Sequence, residues 1–283
     1  MKRYWKEIVL ALIIVGAAII LFWYFFGSIK TEQKSADINL LSIVAGDPQK
    51  VIVVNRPQAL SIVNTEEIFA AYIPEIYLSL IAAFQHSILS FHAEGIVFYT
   101  KLNSQEIYAL KKKILPSRFG GHPVKQQKKD ITYFFYPDTA YNYFGYYIQD
   151  GIIVASHSRH LLEEVSREQA DIKTSVFDSI KVDANIPINL LLSPGTLDLK
   201  IETEDSLIWQ MPQQWTVADI IFNEEKVCMH LSLKKESVTD SLFYSVTDSI
   251  SYRLETLFPT ATLDTQATED EEFLYYTGCL SLE

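Results

Sequence analysis

The longest apolar segment of the chain runs from Ile8 to Ile29, twenty-two residues without a charged side chain. As a helix it rises about 33 Å, which is enough to cross the roughly 30 Å hydrocarbon core of a bilayer. Three of the first six residues are basic, and by the positive-inside rule they keep the N-terminus in the cytoplasm. The pattern predicts a cytoplasmic stub and single-pass transmembrane anchor over residues 1–29. The chain that follows is expected to be extracytoplasmic, and periplasmic in a Gram-negative cell.

A cleaved signal peptide is the alternative explanation of this charged start and apolar run. The hydrophobic core of a signal peptide usually covers about 7–15 residues, and its cleavage site requires small side chains. The end of this segment instead reads Trp23-Tyr24-Phe25-Phe26, and two further aromatic residues, Tyr4 and Trp5, precede the other end. Aromatic residues at both ends are typical of a spanning helix at the two membrane interfaces, which favours an uncleaved anchor.

Beyond the anchor, β-branched runs alternate with helical repeats of apolar residues, which predicts an α+β fold with a mixed or antiparallel sheet and packed helices. One helix is expected to kink near Pro74, and another to stop at Pro116. Residues of the types that cap helix N-termini predict four helix starts, at Asn64, Asn103, Ser158 and Ser237. Strands are predicted at Val51–Val54, Leu89–Leu102 (broken by a turn), Ile131–Tyr136, Tyr141–Gln149, Ile152–Ser156, Ile188–Leu192, Trp215–Phe222, Lys226–Leu233 and Phe273–Leu282.

The order of these elements divides the exported chain into a polar spacer over residues 30–48 and two α+β subdomains over residues 49–170 and 171–283. Both subdomains run from a strand that stops near a proline, through helical segments, to further strands and a polar loop. This shared order indicates a duplicated unit, although one large domain is the alternative.

The spacing of strands gives the duplication a specific alignment. From Val53 to Ile131 is 78 positions, and from Asn189 to Phe273 is 84 positions. In this alignment the second unit lacks an equivalent of the segment from Tyr141 to Val165.

The exported chain is acidic and rich in apolar residues. From Lys30 onward it holds 21 basic and 34 acidic residues, a net charge of −13. Such a surface argues against binding to nucleic acid or to an anionic membrane face. Aromatic residues make up 13% of the chain, so a packed core is expected rather than disorder.

Three segments resemble a group of uncharacterised membrane-anchored bacterial proteins, many of them from Bacteroidetes. The segments are the strand from Val51 to Pro57, the turn, strand and helix start from Asp150 to Ser158, and the strand Trp215–Phe222 with Ala218-Asp219 inside it. No activity is assigned to that group. The resemblance therefore implies an exported location and an α+β architecture, and it implies no catalytic or binding residues.

Two residue pairs suggest chemistry at first sight. Ser232 and Lys235 have the Ser-x-x-Lys spacing of penicillin-binding enzymes, but they lie at the end of a predicted strand, where positions three apart point to opposite faces. His157 and His160 could share one face at a helix start, but no His-Glu-x-x-His motif is present. No catalytic residue, metal site or cofactor is therefore predicted.

The segment from Tyr133 to Tyr147 is unusually aromatic, with nine aromatic residues in fifteen positions. Strand alternation places Tyr141, Tyr143 and Tyr147 on one face. Because a tyrosine is apolar in its ring and polar at its tip, such a face could bind a glycan or a partner chain. Packing beneath a helix or loop is the alternative.

The two cysteines, Cys228 and Cys279, lie in two predicted strands that flank one helix. Each alternates with polar residues along its strand, so both side chains are expected on the more polar face of the sheet. An extracytoplasmic location favours oxidation, but a disulfide also requires Cα atoms within about 7 Å. A disulfide and two free thiols both remain open.

These features predict an anchored extracytoplasmic module of the cell envelope that binds or scaffolds another component and is not an enzyme. Its expected partners are the bilayer, through Ile8–Ile29, and an envelope protein or glycan. The alternative is a hydrolase of cell-wall or glycan substrates whose site is assembled from dispersed residues.

Overall fold

The computed structural model describes residues 38–44, 46–58, 73–168, 176–180, 182–194, 215–222, 226–234, 262–269 and 273–281. The predicted anchor and the predicted helix starts at Asn64 and Ser237 lie outside these residues. Among the residues that are described, no helix has the length and apolar character needed to cross a membrane.

The described residues form one twelve-stranded sheet in which every neighbouring pair of strands is antiparallel. The order across the sheet is β11-β12-β10-β9-β8-β1-β2-β3-β7-β6-β5-β4. The strands are β1 (Lys50–Val54), β2 (Ser87–His92), β3 (Gly95–Lys101), β4 (Val124–Lys128), β5 (Ile131–Asp138), β6 (Asn142–Gln149), β7 (Ile152–Ser156), β8 (Ile188–Leu192), β9 (Thr216–Phe222), β10 (Lys226–Lys234), β11 (Thr262–Glu269) and β12 (Phe273–Ser281).

The sheet is continuous across the predicted boundary at residue 170. Strand β1 pairs with β2 on one side and with β8 on the other, so both predicted subdomains contribute to the same sheet. On each side of the β1–β8 pair, the next two strands along the chain follow in order. A hairpin comes next, and its second strand in the chain lies nearer to the centre of the sheet than its first. The two series are therefore β2, β3, β7, β6 on one side and β9, β10, β12, β11 on the other.

The two edge strands are the ones that the hydrophobic pattern does not predict. Strand β4 reads Val-Lys-Gln-Gln-Lys, and β11 reads Thr-Leu-Asp-Thr-Gln-Ala-Thr-Glu. An edge strand has a neighbour on one side only, and most residues of both strands are exposed. Neither sequence therefore carries the apolar alternation by which a half-buried strand is recognised.

The helices within the described ranges are short and lie on both faces of the sheet. They are α1 (Glu75–Ala83), α2 (Ser104–Ala109), a π turn (Leu110–Ile114), α3 (Leu115–Phe119), α4 (Arg159–Glu168), and two 3-10 turns (Leu40–Ile43 and Val176–Ser179). Helices α1, α2 and α3 cover one face, where Tyr77, Phe98 and Phe144 are buried. Helix α4 and the 3-10 turns cover the other face, where Tyr99 and Tyr147 are buried.

The segment after Asn103 shows where helix prediction holds and where it fails. The Asn103 side chain accepts hydrogen bonds from the N–H groups of Gln105 and Glu106, and Glu106 accepts from the Asn103 N–H, so the predicted cap is confirmed as a capping box. The predicted stop at Pro116 is wrong. A π turn precedes the proline, and the helix then continues to Phe119, because the wider turn relieves the clash and the lost hydrogen bond that proline brings.

Two other expectations change in the same region of the fold. Helix α1 begins directly after Pro74, which occupies its N-cap position, so the proline starts this helix rather than kinking it. Leu40, Leu41 and Val44, at the end of the predicted spacer, are buried in the core.

Candidate functional site

Three polar side chains from distant parts of the chain meet at one end of the sheet and form a tyrosine–histidine–aspartate cluster. The Tyr77 hydroxyl lies 2.9 Å from Nδ1 of His157, and Nε2 of the same ring lies 3.2 Å from Oδ2 of Asp138. The Tyr141 ring covers the cluster, with its centroid 4.3 Å from that of the His157 ring.

Each residue of the cluster is placed by a short piece of local structure. Tyr77 lies on the buried side of α1. Asp138 is the last residue of β5, where its Oδ1 accepts from the Ala140 N–H and closes the turn. His157 lies between β7 and α4, next to Ser158, whose hydroxyl accepts from the N–H of Leu161 at the start of the helix.

One hydrogen-bond arrangement satisfies every group of the cluster. The Tyr77 hydroxyl donates to Nδ1 of His157 and accepts from the His157 backbone N–H at 3.2 Å. The ring then carries its proton on Nε2 and donates it to Asp138. The Ile96 carbonyl, 3.2 Å from the Tyr77 hydroxyl, accepts from the Ser156 hydroxyl at 2.7 Å.

Burial keeps the tyrosine and the histidine of the cluster neutral at pH 7. Burial raises the pKa of Tyr77 well above its ordinary value, and the hydrogen bond from the His157 backbone opposes this only in part. Burial likewise lowers the pKa of His157, although its hydrogen bond to Asp138 acts in the opposite direction. The cluster therefore contains a phenol and a neutral imidazole.

A chain of aspartate, histidine and hydroxyl is the arrangement that activates a nucleophile in many hydrolases. Here the Tyr77 side chain is completely buried, so its hydroxyl cannot reach a substrate. The side chains of His157 and Asp138 are only 11% and 16% exposed. The geometry suits a structural role, in which hydrogen bonds hold α1, the end of β5 and the residue after β7 together.

The predicted tyrosine face is not a single exposed surface. Tyr147 is completely buried, and the Tyr143 hydroxyl accepts from the Arg159 N–H at the start of α4. Tyr141 is 47% exposed and lies with His157, on the opposite side of the sheet. The reason is Asn142, whose φ of +68° interrupts the strand alternation on which the prediction depended.

The two histidines considered as a metal pair have separate partners. Nδ1 of His160 lies 3.1 Å from a carboxylate oxygen of Glu94 at the surface, whereas His157 belongs to the buried cluster. Within the described ranges, no group of three histidine, cysteine, aspartate or glutamate residues is arranged to hold a metal ion.

Cys228 and Cys279 are joined by a disulfide in the structure, which decides between the two states that the sequence left open. They are directly opposite each other in the β10–β12 pair, with Cα atoms 4.1 Å apart. That both side chains point to the same face of the sheet is a necessary condition for this contact. The strand register that satisfies the distance condition is a property of the folded sheet.

Sequence reasoning missed two members of the cluster, Tyr77 and Asp138. Tyr77 belongs to an apolar helical repeat, a pattern typical of core residues, which describes its ring but not its hydroxyl. Asp138 follows Pro137 at a strand end, a pattern typical of any turn. They lie 80 and 19 positions from His157, so no local motif could have joined them.

No protein-family model matches the chain, and no curated protein matches its sequence. Among solved structures, it is similar to TP0453 in crystal form I, with a TM-score of 0.51 and 9% sequence identity over 87% of this chain and 94% of that one. Crystal forms III and IV of TP0453 give TM-scores of 0.48, with 11% and 9% identity. At this level of identity the likeness concerns the fold alone.

Acidification from pH 7.5 to pH 5.5 is expected to lower the free energy of unfolding. The pKa values of His86, His92 and His157 are lowered in the folded chain, mainly by burial. Each therefore binds a proton at higher pH in the unfolded chain than in the folded one. Stability is then complete above the unfolded value of about 6.5, falls below it, and levels off below the folded pKa. Urea titrations at several pH values measure this slope.

The His157→Gln variant is the control for the contribution of the cluster. Its unfolding free energy should depend less steeply on pH over the same interval, because one of the three histidines has been removed. A slope equal to that of the unmodified chain would show that His157 does not titrate in this way.

Proposed function

We propose that this chain is a membrane-anchored extracytoplasmic module that binds or scaffolds another component of the cell envelope, and that it is not an enzyme. The observation that carries the proposal is the burial of the Tyr77 hydroxyl. Among the described residues, the tyrosine–histidine–aspartate cluster most resembles a catalytic site, but its hydroxyl is enclosed and its hydrogen bonds are already formed. The uncharged segment Ile8–Ile29 behind three basic residues supports the anchored location.

A wide sheet suits a scaffolding role better than a catalytic one. Helices and turns cover parts of its two faces, and the core lies beneath them. Its two edge strands expose most of their side chains, and unpaired strand edges are sites at which other chains can add. The available surface is therefore extended along the edges.

A glycan or cell-wall hydrolase is the rival, and one observation favours it. The exposed ring of Tyr141 lies beside the partly exposed His157–Asp138 pair, and aromatic rings commonly stack on sugars. Glycoside hydrolysis ordinarily uses two carboxylates that flank the scissile bond. The cluster itself supplies one of them, Asp138.

The architecture of the module is that of a duplicated unit, but its two halves align differently from the alignment expected from strand spacing. The support is the matching strand series on the two sides of β1 and β8, in which β12 takes the place of β7 and β11 that of β6. The strand that begins at Phe273 then aligns with β7 rather than with the strand that begins at Ile131. Among the described strands, β4 and β5 of the first unit have no counterpart in the second. An experimental structure in which the two series do not superpose would contradict the duplication.

Protease added to intact spheroplasts is expected to digest the domain and to leave a small protected N-terminal fragment. The physical reason is that the positive-inside rule directs the basic N-terminus to the cytoplasm and the acidic domain to the outside. Immunoblotting with a tag at each end identifies the fragment. Full protection of the domain would contradict the location, and release of a soluble mature form would restore the signal-peptide explanation.

The non-enzymatic part of the proposal is tested on the same full-length chain. Incubated with purified peptidoglycan and with envelope glycans, it should release no more soluble sugar or peptide than the Asp138→Asn variant. Turnover by the unmodified chain that disappears in this variant, with the fold retained by circular dichroism, would establish the hydrolase instead.

A further inference from the structure

The two edges of the sheet carry opposite charge. Strand β4 forms one edge and β11 the other, and among the described residues each pairs with a strand on one side only. We propose that copies of this chain associate head to tail, with β4 of one copy pairing with β11 of the next. This inference deepens the proposed scaffolding function and rests on it, and it names a second copy of the chain as the partner.

The first surface, the basic edge, consists of β4 and the helical segment beside it. Between Lys111 and Lys129 the chain holds seven lysine and arginine residues and no acidic one, although the whole chain has a net charge of −11. Lys111 and Lys125 both approach the ring of Phe134, with their Nζ atoms 5.3 and 5.9 Å from its centroid. These two ammonium groups therefore lie on the same face of the sheet, where their positive charges add.

The second surface, the acidic edge, is strand β11. The last thirty residues of the chain hold seven acidic residues and no basic one. Residues 264–268 of the strand are exposed, and this part includes Asp264. Glu269 ends the strand and is followed in sequence by three more acidic residues.

The direction of the strands makes a head-to-tail contact continue the sheet. Twelve strands in unbroken antiparallel alternation place the first and the last in opposite directions. A second copy in the same orientation therefore presents its β11 antiparallel to β4 of the first copy. The five residues of β4 can pair over about 17 Å with the eight residues of β11.

Charge also selects this contact over the alternatives. Lysines on an edge strand usually protect it from pairing with other strands, because like charges repel across the new ladder. That repulsion applies to two β4 edges, and the negative charge of β11 opposes the pairing of two β11 edges in the same way. It becomes attraction when β4 meets an acidic strand, so the one contact left favourable is heterologous and propagates.

A charge exchange at the two edges tests the inference on the full chain, extracted in a mild detergent and studied by sedimentation velocity at low salt. Lys125 is exchanged rather than Lys128, because Lys128 already pairs with Glu163 at 2.7 Å. The Lys125→Glu and Asp264→Lys variants should each associate about tenfold more weakly, since each turns an attraction into a repulsion. An equimolar mixture of the two variants should recover association, and so should the double variant.

The matched control is Arg56→Glu, which makes the same change in net charge at an exposed position just after β1, in the middle of the strand order and away from both edges. It should associate like the unmodified chain. High salt should weaken association of the unmodified chain, because surface charges are screened.

A zero-length carbodiimide cross-link locates the contact directly. In a mixture of isotopically light and heavy chains, cross-links between β4 lysines and β11 carboxylates should join a light to a heavy peptide. A monomeric chain under all conditions, or association that the edge variants do not change, would overturn the inference. Failure of edge pairing leaves the spheroplast result unaffected, so the two proposals fail separately. Binding of the basic edge to a different acidic protein, by a chain that does not self-associate, would also overturn it.

Discussion

Removal of the Cys228–Cys279 disulfide should lower the free energy of unfolding by about 4 kcal/mol. The two cysteines are 51 positions apart, and closing a loop of that length removes conformational entropy from the unfolded chain. The estimate follows from the chain-entropy relation for a loop of this size. Urea unfolding of the full chain with and without reductant measures the difference.

The Cys228→Ala/Cys279→Ala variant is the control for this measurement. It should unfold at the urea concentration of the reduced chain, and reductant should not change it further. Disulfides persist in oxidising compartments, so protein purified from the envelope without reductant should contain no reactive thiol after denaturation. Two reactive thiols would contradict both the bond and the stability difference.

The Tyr147→Ala substitution should destabilise the chain by about 3–5 kcal/mol, as is typical of a large aromatic side chain removed from a core. Tyr147 is completely buried, and its ring packs edge-on against that of Tyr133 with the centroids 5.5 Å apart. Alanine leaves a cavity between β6 and the helical layer that covers this face. Thermal or urea unfolding compared with the unmodified chain measures the loss.

The matched control is Tyr141→Ala, six positions earlier in the same segment. Tyr141 is 47% exposed, so its truncation should change the unfolding free energy by less than about 1 kcal/mol. Tyr147→Phe should retain most of the stability, since it keeps the ring. Equal, small losses at both positions would instead indicate one exposed tyrosine surface and would support the predicted binding face.

In the tyrosine segment, a single backbone angle interrupts the strand alternation that the prediction assumed. The alternation rule holds from Tyr143 to Tyr147, and both lie on the face that α4 covers. It fails at Asn142, where a positive φ turns Tyr141 towards His157. Asparagine is among the residues that adopt this conformation most readily, but the sequence does not state that it does so here.

Several elements followed directly from the sequence because their causes are local. The strands inside the sheet were predicted from apolar runs rich in β-branched residues, as in β1 and β7. The Asp150-Gly151 turn was predicted from its residue types, and both residues have positive φ, at +47° and +78°. The Asn103 cap likewise depends on side chains within three positions.

Other features depend on contacts that the sequence does not encode locally. Strands β4 and β11 exist because a neighbouring strand supplies hydrogen-bond partners, which a polar edge accepts without an apolar pattern. The disulfide required the register of β10 and β12, and the cluster required α1 to bring Tyr77 next to His157, the residue after β7.

By itself, then, the sequence determined the strands inside the sheet, the Asn103 cap, the Asp150-Gly151 turn, the α+β class and the acidic character of the chain. Those properties arise from backbone preferences and from burial against solvent, which act within a few residues. The tertiary structure alone decided which edges carry opposite charge, which tyrosine is buried and which residues meet at His157. These depend on strand register and order, which are set by packing between residues far apart in the chain.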